Sequence, residues 1–115
     1  MSRVVVFGNA TVDIILDVER LPAPGETLLS RGLLRCAGGK GLNQAISAAR
    51  AGARTVLAAA IGGDQEATFL RATLAGEDGL ETRWKVTAEP TDLSTIWVAS
   101  SGENAIVSSA ACARS

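Results

Sequence analysis

Gly38, Gly39 and Gly41 bracket Lys40 in the run Cys36-Ala37-Gly38-Gly39-Lys40-Gly41-Leu42-Asn43-Gln44-Ala45, immediately before a segment of helical character at 45–51. These residue types at this spacing suit ligand binding. Glycine lets the backbone come close to a ligand, and free amides at a helix start attract oxygen-rich groups. Lys40 adds a mobile cation, and Asn43 adds a donor and an acceptor one turn on. A helix start disfavours a cation, so a lysine there argues for a role beyond surface charge. The run is not a nucleotide-phosphate loop of the Walker type, which needs glycine five positions before Gly39 and serine or threonine after the lysine. Leu34 and Gly41 occupy those places, and no Gly-x-Gly-x-x-Gly fingerprint occurs either.

Other chemistries are excluded by composition. The 115 residues contain no histidine, which removes Ser-His-Asp catalysis, Cys-His pairing and most zinc sites. Cys36 and Cys112 form neither a metal spacing nor a disulfide framework, so reduced thiols are expected. Eleven basic and twelve acidic residues give a net charge of −1, which argues against nucleic acid or an anionic membrane as the main partner. Asn9 and Asp13 interrupt the N-terminal apolar run, so no secretory leader is read, and 56–61 is too short to cross a bilayer. The expectation is a soluble, cytoplasmic chain.

The elements that position the glycine run follow from apolar patterning. Arg3-Val4-Val5-Val6-Phe7 predicts a strand buried on both faces, as in a parallel sheet. A second strand is expected over 13–19, then a turn at Leu21-Pro22-Ala23-Pro24-Gly25-Glu26, then a returning strand over 27–36. The helix after the glycines should stop near Gly52, followed by a buried strand over 54–61. Gly62-Gly63-Asp64 predicts a helix entrance, with Asp64 capping the segment 65–74. Gly76 to Gly79 reads as a loop. Short strands are expected near 83–86, 93–99 and 105–108, with a turn at Ser100-Ser101-Gly102. Strand and helix alternate, so the fold class is α/β.

Four features in this order resemble the N-terminal part of a ribokinase-like sugar kinase, the PfkB carbohydrate kinase family. They are the strand from Val4 into Gly8-Asn9 and Asp13, the Leu21-Pro22-Ala23-Pro24-Gly25-Glu26-Thr27 turn, the Gly38-Gly39-Lys40-Gly41-Leu42-Asn43-Gln44-Ala45 run, and Ile61-Gly62-Gly63-Asp64. Gly102-Glu103-Asn104-Ala105-Ile106 is a weaker echo, and the match covers essentially the whole chain. The resemblance implies a Rossmann-like three-layer α/β/α sheet with a small β lid formed around 13–36 and 93–108.

It also implies sugar-binding roles. Asp13 would accept hydrogen bonds from sugar hydroxyls. Gly38, Gly39 and Gly41 would offer backbone amides, and Lys40 and Asn43 would contact hydroxyls. Asp64 is read as a structural cap. Trp97 could line the site from the lid, although a strand tryptophan is more often packing. The implied activity is transfer of the ATP γ-phosphate to a sugar hydroxyl, with Mg2+, and a homodimer through the lid strands. A nucleoside kinase of the same fold, or a non-catalytic sugar-binding or dimerising module, stays open. Ribokinases carry asparagine two positions before the aspartate where this chain has Thr11, so ribose itself is not implied. The helix after Gly62-Gly63-Asp64 has Ala67 where the family tends to have glycine. The family's base lies in a Gly-Ala-Gly-Asp motif, which does not occur here. No catalytic or metal-binding residue is therefore assigned within these residues, the nucleotide-binding and catalytic half is expected to lie outside them, and the 115 residues alone are expected to be inactive.

Overall fold

The computed structural model describes residues 3–113. The elements run β1 (Arg3–Phe7), β2 (Thr11–Val18), β3 (Gly32–Gly38), α1 (Lys40–Arg50), β4 (Arg54–Ile61), α2 (Gln65–Ala75), β5 (Leu80–Val86), β6 (Leu93–Ala99) and β7 (Asn104–Ser108). They form a parallel three-stranded sheet of order β1-β4-β5 and a mixed four-stranded sheet of order β3-β2-β6-β7. In the second sheet β2 and β6 run parallel, and the outer pairs are antiparallel.

Both helices belong to crossovers that step the same way across the three-stranded sheet, from β1 to β4 and from β4 to β5. Right-handed crossovers in one direction leave their helices on one face. There Leu42, Ala45 and Ala49 of α1, and Ala67, Leu70 and Leu74 of α2, recur at spacings of three and four and are buried. All of these but Ala49 pack with Leu57 and Ile61 of β4 and with Val12 of β2 in one core. Alanines on the buried stripes let the helices lie close to the sheet.

The opposite face of this sheet is open, which corrects the expectation that β1 is buried on both sides. Phe7 is 83% exposed and Val5 47% exposed, because no second helical layer is formed by the described residues. The third layer of the α/β/α arrangement is thus not among them. Several boundaries also move. The strand expected over 27–36 is Gly32–Gly38, since pairing with β2 starts where the Arg31 amide donates to the Asp17 carbonyl at 2.7 Å and runs on to Gly38 opposite Thr11. The strand near 83–86 begins earlier, at Leu80. The bend before β3 is held locally: Arg20 grips Glu26 with two hydrogen bonds of 2.6 Å and holds its carboxyl down to about 2.

Candidate functional site

The site is assembled where β3 turns into α1. β3 ends at Gly38 and α1 begins at Lys40, so Gly39 alone makes the reversal, with φ of 101° and ψ of 142°. That backbone conformation favours glycine. A Cβ at Gly39 would also lie 2.7 Å from the Asn9 carbonyl oxygen. Helix α1 has no side-chain cap at Gly39. Its cap comes from across the fold. The Gly41 amide donates to Asn9 Oδ1 at 3.3 Å, and the Leu42 amide donates to the Asn9 carbonyl at 3.1 Å. The Gly41 amide, expected to be offered to a substrate, is bonded to Asn9 in this structure. Gly41 serves close approach instead: a Cβ there would stand 2.7 Å from Gly8 Cα and 2.9 Å from the Asn9 amide nitrogen. The amides of Gly39 and Lys40 take no part in the Asn9 cap.

Asp13 is the third residue of β2, which starts two residues before the strand expected over 13–19. Thr11, one of the buried polar residues, donates its hydroxyl to Asp13 Oδ1 at 2.9 Å. The other oxygen lies across Gly38, where a Cβ would collide with the carboxylate. Glycine at 38 therefore makes room for the Asp13 side chain beside the start of α1. Lys40 and Asn43 are exposed and line an open depression with Gly39, Gln44 and Ser47. The structure thus brings Asp13, Gly38 and Gly39 together, with Lys40 and Asn43 following on the first turn of the helix.

Trp97 is not brought to this group. It pairs with Leu16, whereas Asp13 pairs with Ser94, and side chains alternate along a strand. Trp97 therefore occupies the other face of the four-stranded sheet, where it shares a small cavity with Leu16, Val18, Pro22 and Leu28.

The pattern of the pfkB family carbohydrate kinases matches residues 1–113. The chain belongs to this family. It is 36% identical over 104 residues to the ribokinase of Haemophilus influenzae, covering 89% of this chain and 34% of the relative. It is 36% identical over 107 residues to the ribokinase of Arabidopsis thaliana, covering 90% of this chain and 28% of the relative. Among solved structures, the ribokinase of Giardia lamblia superposes with a TM-score of 0.86 at 29% identity, over 95% of this chain and 36% of that one. Arabidopsis thaliana ribokinase complexed with ribose and ATP superposes with a TM-score of 0.78 at 32% identity, over 97% and 37%. The chain spans about a third or less of the length of the curated relatives it matches.

In this PfkB-family chain a second polar cluster joins the two sheets. Asp64 caps α2 as expected, accepting from the Ala67 amide at 3.0 Å. It also accepts from the Thr91 hydroxyl at 2.6 Å and the Thr91 amide at 2.8 Å, and Thr91 Oγ1 in turn accepts from the Gly62 amide at 2.9 Å. Burial pushes the Asp64 carboxyl up, but these donors outweigh it and hold the pKa below the ordinary aspartate value. Next to it, buried Asp92 accepts from the amides of Cys112 and Ala113, and its carbonyl accepts from the Val12 amide. The strands entering and leaving the four-stranded sheet are tied here to the β4–α2 turn.

Residue types alone do not disclose Asn9 as a helix cap or Thr11 as the partner of Asp13. Nor do they show the composition of the Asp13 face. Register places Cys36, Asp13, Ser94 and Ser108 in one row across all four strands, and Leu34, Ile15, Ile96 and Ile106 in the next row on the same side. Alternation counted from Asp13 along each strand is the signal that finds them, once pairing is known.

Proposed function

We propose that these residues form the sugar-binding part of an ATP-dependent carbohydrate kinase, with the four-stranded sheet as a lid over the sugar. The observation that carries this reading is the Asp13 carboxylate fixed by Thr11 and laid across Gly38, next to a helix start with Lys40 on its first turn. An ionised carboxylate accepts strongly from hydroxyls, and Lys40 and Asn43 supply donors for the remaining oxygens of a polyol. The Leu34, Ile15, Ile96 and Ile106 row offers an apolar surface to the C–H side of the same molecule and displaces water from it.

Phosphoryl transfer requires groups beyond these. ATP with Mg2+ would supply the phosphoryl group, but among the described residues no three His, Cys, Asp or Glu side chains converge as metal ligands. The part read for the described residues is to bind and orient the acceptor. Among the described residues no helix is long and apolar enough to cross a membrane.

The test is calorimetric titration of the full chain with D-ribose and D-fructose, alongside Asp13→Asn and Lys40→Ala. Saturable binding to one sugar, weakened at least about tenfold by Asp13→Asn, is expected for loss of a charged hydrogen bond. Binding that Asp13→Asn leaves unchanged, or no binding to either sugar, refutes the reading.

A further inference from the structure

Ser94 stands directly beside Asp13 in the β2–β6 register, and its hydroxyl lies 2.7 Å from that of Ser108 on β7. Ser94 is 9% exposed, so this polar side chain is fixed inside the sheet, while Ser108 is exposed on the edge strand. Two hydroxyls carry two protons, and the bond between them uses one. No other hydrogen bond engages either side chain among the described residues, so the second proton is available to donate outward. An acceptor-only carboxylate and a hydroxyl pair with a spare donor therefore sit side by side on one face.

We propose that the Ser94–Ser108 pair is a specificity-determining subsite that reads a second hydroxyl of the polyol, adjacent to the one held by Asp13. The proposal rests on the sugar-binding reading of Asp13. Neighbouring strands lie about 4.8 Å apart, a gap that two adjacent sugar hydroxyls span through hydrogen bonds of about 2.8 Å each. One hydroxyl donates to Asp13, and its neighbour accepts from the serine pair. The ligand class is thus a sugar with vicinal hydroxyls, and the pair discriminates against analogues that lack one of them. Leaving a buried polar group without its partner is what makes such discrimination effective.

The experiment titrates the full chain with D-ribose, D-fructose and their monodeoxy analogues, using wild type, Asp13→Asn and the double variant Ser94→Ala with Ser108→Ala. Either serine alone still carries one proton to donate, so both are replaced together. Wild type is expected to bind the parent sugar about fivefold more tightly than one monodeoxy analogue, the worth of one hydrogen bond. The double serine variant should reduce that preference below about twofold while leaving affinity for the same analogue unchanged. A preference that survives the loss of both serines, an equal loss for every sugar, or no preference in wild type overturns the inference. If Asp13→Asn abolishes binding while the double serine variant keeps the preference, the sugar site stands and only the subsite fails. If wild type binds none of the sugars, both fail.

Discussion

Replacing Gly41 by alanine sets two opposing effects against each other, and the structure decides the sign. In an open helix interior the change stabilises by about 1 kcal/mol, because alanine is the better helix former. Here the added Cβ would stand 2.7 Å from Gly8 Cα, 2.9 Å from the Asn9 nitrogen and 3.0 Å from the Gly8 carbonyl carbon, all backbone atoms that cannot rotate aside. Forcing a methyl group into a filled site costs about 1–3 kcal/mol. Separating the segments also stretches the two hydrogen bonds by which Asn9 caps α1, each worth about 1 kcal/mol. The net effect is a destabilisation of about 2 kcal/mol, which lowers the melting midpoint by about 8 °C for a chain of this size. Thermal unfolding followed by circular dichroism measures it. Gly63→Ala is the control, since nothing lies within 4 Å of a Cβ there and its φ is not positive, so its midpoint should stay put. A Gly41→Ala midpoint equal to or above wild type would refute the close-approach argument.

Asp64→Ala removes a helix cap and the link to Thr91, so a loss of about 2 kcal/mol is expected from chemical denaturation. Because the folded carboxyl has a lower pKa than the unfolded one, its contribution is complete above the unfolded value near 3.8 and fades as pH falls through the folded one. Stability measured from pH 6 to pH 2 should therefore fall less steeply at the acid end in Asp64→Ala than in wild type. Trp97→Phe should leave sugar affinity unchanged in titration, because residue 97 faces away from Asp13; a loss comparable to that of Asp13→Asn would contradict the register. Phe7→Lys should reduce self-association of the chain in sedimentation velocity, since Phe7 and Val5 form an open apolar face; identical profiles would show that this face drives no association.

The parts of the fold that patterning disclosed are those dictated by local chemistry. Val56 to Ile61 is a continuous apolar run ending at Gly62, and it forms most of β4, Arg54–Ile61. Asp64 is followed by a helix because a short carboxylate at that position satisfies an amide of the first turn. What stayed hidden depends on partners distant in sequence. Val5 and Phe7 look like core residues because a β-branched and aromatic run normally has two covers, and nothing within the run says that only one is supplied by these residues. Gly41 reads as an amide donor until Asn9, on another segment, is seen to take that amide. Trp97 has the right chemistry for a sugar platform, but its face is set by pairing with Leu16, and a shift of one residue would have reversed it.

The parallel pairing of β2 with β6 has a kinetic meaning. Val12 meets Leu93 only after all the residues between them have been made, whereas β2 and β3 are joined by a nearby bend. During synthesis the β2–β3 pair must wait with one edge unsatisfied while α1, β4, α2 and β5 emerge and organise around their own local contacts. Closure of the four-stranded sheet is then a late, non-local event that carries a loop-closure cost before any contact repays it. Asp13 and Cys36 are placed early by a local hairpin, and Ser94 and Ser108 arrive last, so the two halves of the polar row mature at different times.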